Sequence, residues 1–259
     1  MNFLSSIMIL AIDIGNSNIV IGVSTKEEWK KIWRVETNST QSVLYYQQYL
    51  MDALLEEGIA STNIQSVVFS SVVPDLNEKF KTLFEHAFHQ AKVTILNPEL
   101  YIKLGLKVAR PYEIGSDLVA NSIAAHQFYS GNIIVIDFGT ALTFTMVNHE
   151  GHILGVNIAP GLKTAIRSLS KGTAQLPEVL LEFPKSAVGS NTNHAIQAGV
   201  LIGYVGLVKH MIQEIRNELG ADFKTVATGG LSNVLLPLGE IFDYKNPNLT
   251  LEGLRLLSK

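Results

Sequence analysis

Apolar residues fall along this chain in short unbroken runs that stop at acids and glycines. "IMILAIDIG" runs from Ile7 to Asp13 and Gly15, and "NIIVIDFG" runs from Asn132 to Asp137 and Gly139. Runs of this length, closed by turn residues, predict strands buried on both faces. Each is followed at once by a second apolar run, "NIVIGV" or "ALTFTMV", which predicts a return strand and so a hairpin. Downstream, "WKKIWRVET" predicts a third strand, "SVLYYQQYLMDALLEEGI" an amphipathic helix ending at Gly58, and "IQSVVFSSVV" a buried strand stopped by Pro74. "PDLNEKFKTLFEHAFH" reads as a helix with Pro74 and Asp75 at its start, followed by a strand at "KVTIL". The second half repeats the theme with "HILGVNIAPGL", the helix "GLKTAIRSLSKGT", the long helix "NTNHAIQAGVLIGYVGLVKHMIQEIRNELG" and the strand "KTVATGGL". Hairpins followed by strand-helix-strand units predict an α/β protein with helices on both sheet faces.

The two hairpins are alike. When "ILAIDIGNSNIVIGV" (9–23) is set over "IIVIDFGTALTFTMV" (133–147), Asp13 falls on Asp137 and Gly15 on Gly139, with apolar strands on either side. Two copies half a chain length apart predict two similar domains, although buried strands also resemble one another by chance. No low-complexity linker separates the halves. The helix "GSDLVANSIAAHQFYS" (115–130) bridges them, which puts the expected domains at 1–118 and 119–259.

Composition narrows the function classes. A chain of 259 residues with 47% apolar and 17% charged residues has ample material for real cores. Its net charge of -3 leaves no basic footprint for nucleic acid or an anionic membrane. With no cysteine there is no disulfide, thiolate zinc site or thiol nucleophile, which fits a reducing cytoplasm. The first apolar run is short, lacks a basic flank and ends in an acid, so neither a secretion signal nor a membrane span is expected there.

Four polar interruptions of apolar structure are candidates for chemistry: Asp13 to Asn18, Gly115-Ser116-Asp117, Asp137 to Thr143, and Gly229-Gly230. Each is predicted at a strand end or helix start, where α/β proteins place ligands. A carboxylate at the end of a buried run costs several kcal/mol unless a cation, a donor or water meets it, so Asp13 and Asp137 are metal or phosphate candidates. Each site also has a plain structural reading. Asp117 suits a first helical turn through the macrodipole, and Gly229-Gly230 suits a simple turn. There is no G-x-x-x-x-G-K-[ST], and the glycines of "GVLIGYVG" (Gly199, Gly203, Gly206) fall within a predicted helix, where close helix packing explains them better than a dinucleotide loop. "HAFH" and "HEGH" have metal-like spacing but no third ligand nearby, and read as a helix surface and a hairpin turn.

Taken together, "DIGNSNIVIG", "SSVVPDL", "GSDLVANSIAA", "VIDFGTALTF", "LGVNIAPGL", "GSNTNHAIQAGVLIGYVGLV", "ATGGL" and "LTLEGLRLL" stand in the order seen in type III pantothenate kinases, and the chain resembles that family over nearly its whole length. The family lies in the superfamily of acetate and sugar kinases, Hsp70 and actin. The resemblance implies two actin-like (ribonuclease H-like) domains, each a mixed sheet flanked by helices, with a nucleotide cleft between them. It also implies ATP-dependent phosphorylation of pantothenate, the first step of coenzyme A synthesis, by a cytoplasmic homodimer with no nucleic-acid or membrane partner.

By the same resemblance, Asp13, Ile14, Gly15, Asn16, Ser17, Asn18, Ile19 and Val20 would hold the ATP phosphates and Mg²⁺, with Thr140, Gly229 and Gly230 in the nucleotide site. Asp117 would be the base on the pantothenate hydroxyl. Gly115, Ser116, Leu118 and Thr192 would join it at the substrate, and Asp137 would hold a monovalent cation, K⁺ or NH₄⁺. The chain departs from the family at four places. Leu118 stands where the family has Arg, Thr145 where it has Asp, and Ser190 where it has Lys. The segment "KVARPYEIG" is shorter and lacks the family's substrate-contacting Tyr at its usual place, leaving Tyr112 as a candidate replacement. These departures support an alternative: a diverged paralogue that binds nucleotide or a partner without the reaction, or a kinase for another small alcohol.

Overall fold

The computed structural model describes residues 7–258 except Ser39, Ala221 and Asn233, together with the backbone but not the side chain of Leu236. Two compact units divide the chain: Met1–Ala124 with Thr250–Lys259, and Ala125–Leu249.

In the first unit, β1 (Met8–Ile14), β2 (Asn18–Ser24), β3 (Trp29–Glu36), β4 (Ile64–Ser71) and β5 (Lys92–Ile95) form one sheet in the order β3-β2-β1-β4-β5. The central strand β1 runs antiparallel to β2 and parallel to β4, so it is covered on both edges. Leu10, Ile12 and Ile14 alternate onto one face and pack with Tyr46, Leu50 and Leu54 of α1 (Val43–Glu56) and with Phe80 and Phe84 of α2 (Pro74–Ala87). The Ser42 hydroxyl accepts the Tyr45 N–H at 3.2 Å and starts α1, while Pro74 at the first position and Asp75 in the first turn start α2. The period-two alternation of β1 leaves Asp13 on the opposite face, paired in register with Val20 and Ser70. The short α3 (Pro98–Lys103) also belongs to this unit, and α4 (Ser116–Phe128) starts in it and ends in the second.

The second unit repeats the plan. β6 (Asn132–Phe138), β7 (Ala141–Val147), β8 (Ile153–Pro160), β9 (Phe223–Thr228) and β10 (Tyr244–Lys245) lie in the order β8-β7-β6-β9-β10, strand for strand the order of the first sheet. Ile134, Ile136 and Phe138 face α5 (Leu162–Gly172) and a long helix built of α6 (Thr192–Gln197), a π-helical turn (Ala198–Ile202) and α7 (Gly203–Leu219). That helix is long and apolar enough to cross a membrane by length and composition alone, but here Leu201, Val208, Ile212 and Ile215 enter the second core. Gly199, Gly203 and Gly206 lie within it as expected. A Cβ on any of them would meet nothing within 4 Å, however, so close helix packing does not explain them among the described residues.

The chain ends in α8 (Leu249–Leu256), which joins the first unit, whereas the sequence put 119–259 together. The reason is local packing. Gly253 lies against the backbone of Ala120 in α4, where a Cβ would overlap the Ala120 carbonyl, and Thr250 donates its hydroxyl proton to Asn121 Oδ1 at 2.9 Å. Glu252 accepts the Trp29 indole N–H at 2.8 Å and the Arg255 guanidinium at 2.6 Å, and the guanidinium lies 5.4 Å from the Trp29 ring centroid. Gly253→Ala should therefore lower unfolding free energy by about 1–3 kcal/mol, the usual cost of overpacking. Urea denaturation checks this, and an unchanged midpoint would mean that α8 does not press on α4.

Candidate active site

The first cluster is built at the C-terminal ends of β1 and β4. Asp13 emerges where the apolar run of β1 ends, and the Ser70 hydroxyl, one strand over and in register, donates to Asp13 Oδ1 at 2.7 Å. The turn that follows is closed by the Gly15 N–H to the Asn18 carbonyl at 3.0 Å. Thr37 braces it from the end of β3, donating its hydroxyl to the Gly15 carbonyl at 2.7 Å and its N–H to the Ser17 carbonyl at 3.1 Å. Asn16 and Ser17 are exposed at the tip, and Asn18 and Val20 are half-buried. Ile14 and Ile19 point the other way, into the core, so any contribution they make to a ligand comes from their backbone.

Ser71, the next residue of β4, ties this cluster to the start of α4. The Ser116 hydroxyl donates to the Ser71 carbonyl and accepts the Ser71 N–H, both at 3.1 Å. Asp117 follows in the first turn, with Gly115 close against its carboxyl, and its Oδ1 accepts the Leu118 N–H at 2.9 Å. Burial pushes the Asp117 carboxyl above its ordinary 3.8, and the N–H groups of Leu118 and of Asp117 itself only partly oppose the shift. Desolvation thus outweighs the helix-terminal donors. Leu118 is buried, which places an alkyl chain inside the unit directly after Asp117.

The two tyrosines of this stretch sit in different settings. Tyr112 is 71% exposed, whereas Tyr101 of α3 is buried beside Ser116 and Asp117. Its phenol is held well above the usual range by burial first and then by the charges of Asp117 and Glu99, against a hydrogen bond with the Ser116 side chain.

The second cluster occupies the equivalent place in the other sheet. Asp137 at the end of β6 stands in register with Thr143 on β7 and Thr228 on β9. Gly229 (φ +88°) turns the chain directly onto it, since a Cβ there would overlap Asp137 Oδ1 and the Phe138 backbone. Thr140 is exposed at the hairpin tip, where its carbonyl accepts the Gly161 N–H at 3.0 Å and the Thr164 hydroxyl at 2.7 Å. The hydroxyls of Thr143 and Thr145 are buried without a hydrogen-bond partner among the described residues. A carboxylate beside an orphaned hydroxyl offers the hard oxygen donors that suit an alkali or alkaline-earth cation, so the residues fit the expected metal. Thr192 stands apart on the exposed first position of α6, which is capped by Asn191.

Asp13, Ser116 and Asp117 are thus brought together within the first unit, and Asp137, Thr140 and Gly229-Gly230 within the second. Sequence reading missed Ser70, Ser71, Thr37 and Tyr101 as members. Ser70 and Ser71 carried a signal, since they end an apolar strand as Asp13 does, but Tyr101 in its six-residue helix carried none. His86 meets the Thr82 carbonyl in the last turn of α2, and His149 and His152 lie at the β7–β8 turn, the helix surface and hairpin turn expected of them.

The family model for type III pantothenate kinases matches residues 9–214. A type III pantothenate kinase of Rhodospirillum rubrum is 34% identical over 252 residues, covering 97% of this chain and 98% of that protein. Among solved structures, an ethanolamine utilization protein from Carboxydothermus hydrogenoformans aligns with a TM-score of 0.57 at 14% identity over 96% of this chain and 89% of that one. The activator of 2-hydroxyisocaproyl-CoA dehydratase from Clostridium difficile, with bound ADPNP, gives 0.56 at 11% identity over 97% and 94%. At these identities the two structures speak for the fold alone: two similar actin-like domains.

The raised Asp117 pKa makes a stability prediction. A carboxyl whose folded-state pKa exceeds its unfolded value supports the fold fully below the unfolded value, and that support is lost as pH rises through the folded value. Asp117→Asn keeps an oxygen acceptor for the Leu118 N–H and removes the charge. The variant should be more stable than the wild type at about pH 7 and nearly equal to it at about pH 3, as read by urea melts. Equal stability at both pH values would contradict the burial described.

Proposed function

The chain belongs to the type III pantothenate kinase family, and from that premise we propose that the end of β1 handles the ATP phosphates while the first turn of α4 handles the pantothenate hydroxyl. The activity is ATP-dependent phosphorylation of pantothenate in coenzyme A synthesis.

Phosphoryl transfer passes through a loose transition state, so the protein's task is mainly positioning and charge neutralisation. Asp13, fixed by Ser70, and the turn Gly15 to Asn18 would hold Mg²⁺ and the phosphates. Asp137 with Thr143 would hold K⁺ or NH₄⁺, and Thr140 and Gly229-Gly230 would lie against the nucleotide. When bound, these cations offset the negative charge of the phosphates. Asp117 takes the proton of the acceptor hydroxyl, with Gly115, Ser116, Leu118 and Thr192 toward pantothenate. Family kinship supports a homodimer working in the cytoplasm.

One observation carries the assignment of the base: Asp117 is withdrawn from water, held by backbone N–H groups and raised in pKa toward the range where a carboxylate accepts a proton effectively. The test is ADP release with Mg-ATP and K⁺, with and without pantothenate, and mass detection of phosphopantothenate. Turnover should require pantothenate. Absence of turnover in folded protein would favour the diverged paralogue to which Leu118 and Thr145 point.

Asp117→Asn should lower kcat by roughly 10²- to 10⁴-fold with ATP affinity unchanged, and retained turnover would remove Asp117 from the chemistry. Asp137→Asn should abolish any difference between K⁺ and cation-free buffer; a variant still activated by K⁺ would place the cation elsewhere.

A further inference from the structure

The loop that joins β6 to β7 is held from outside itself. A hairpin loop of two or three residues ordinarily closes with a residue at positive φ, and none of Gly139, Thr140 and Ala141 has one. Within the loop, the Gly139 N–H donates to the Ala141 carbonyl at 3.1 Å. The Thr140 carbonyl turns instead to the start of α5, where it accepts the Gly161 N–H at 3.0 Å and the Thr164 hydroxyl at 2.7 Å. A carbonyl oxygen has two lone pairs, so these two donors fill it. The approach is close, since a Cβ on Gly161 would overlap the carbonyls of Gly139 and Thr140.

The α5 end of this contact is itself anchored. The Gly161 carbonyl accepts the Ala165 N–H at 2.8 Å and opens the helix, Leu162 and Ile166 are buried, and the Tyr204 hydroxyl of α7 donates to the Pro160 carbonyl at 2.6 Å. On its other side the loop runs along Asp137, with Gly139 so placed that a Cβ would lie 3.6 Å from Oδ1.

We infer that Thr164 is a positioning residue for the β6–β7 loop and, through that loop, for the nucleotide. The inference rests on the reading of Thr140 as part of the nucleotide site. Without the hydroxyl, the Thr140 carbonyl keeps the Gly161 N–H but loses the shorter of its two bonds. A loop that lacks its own turn dihedrals then gains freedom that nucleotide binding must remove, and affinity falls. The acceptor alcohol is read by Gly115 to Leu118, which belong to the first unit and take no part in this contact.

The experiment compares Thr164→Val, which keeps the shape and removes the hydroxyl, with Thr164→Ser, which keeps the hydroxyl, both in the full chain. Thr164→Val should raise the Kd for Mg-ATP, read by isothermal titration calorimetry, and the KM for ATP by about two- to tenfold, the range for one lost hydrogen bond. The KM for pantothenate should stay unchanged, and Thr164→Ser should match the wild type. A second readout needs no ligand: amide hydrogen exchange at Gly139 and Gly161 should quicken in Thr164→Val but not in Thr164→Ser, with exchange in β9 unaltered. Mg-ATP bound as tightly by Thr164→Val as by the wild type, a serine variant as weak as the valine one, a pantothenate KM that rises in step, or unchanged Gly139 exchange would each overturn the inference. If the wild type binds Mg-ATP without phosphorylating pantothenate, the reading of the acceptor fails and the comparison of Kd values still decides the role of Thr164. If the wild type binds no Mg-ATP, the nucleotide reading fails and the inference falls with it, while amide exchange still shows whether Thr164 holds the loop.

Discussion

A carboxyl drawn away from water must be met by donors, and the first unit is arranged around two that are met differently. Asp13 receives a hydroxyl proton from Ser70 on the neighbouring strand. Asp117 receives backbone N–H groups at the head of α4, where the helix field also favours negative charge. For Asp117 these donors are outweighed by burial, because α4 is enclosed: Val119, Ala120, Asn121, Ser122 and Ala124 are all buried. Small side chains let α8 approach one side of that helix, with Gly253 against Ala120. The proposed base is therefore seated on an enclosed helix, which suits a reaction governed by placement.

The same plan appears twice and has been used differently each time. Both sheets carry an acid at the end of the central strand, on the face away from the pair of helices that fills the core. In the first, the acid's partner across the hairpin is Val20 and its parallel neighbour is Ser70; in the second these are Thr143 and Thr228. Replacing an apolar partner with a hydroxyl adds an oxygen donor beside Asp137, and that hydroxyl is left without a protein partner. One duplicated hairpin thus yields two oxygen-rich sites of different composition. Leu118 is enclosed within the first unit, and Thr145 is buried on β7 with its hydroxyl unsatisfied.

What the sequence by itself determined is the set of local facts: which runs are strands, that the hairpin recurs, and that Asp13, Asp117, Asp137 and Gly229-Gly230 stand where apolar structure breaks. These were legible because strand periodicity, turn residues and the cost of burying a carboxylate act over a few neighbouring positions. Only the tertiary structure decided that α8 returns to the first unit, that the glycines of α7 and its π-helical turn face open space, and that Tyr101 rather than Tyr112 lies beside Asp117. Each depends on residues far apart in the chain, such as Gly253 meeting Ala120, or Ser71 and Tyr101 meeting Ser116. Such pairings arise from packing and hydrogen-bond saturation in three dimensions, which no local pattern of apolar and polar positions encodes.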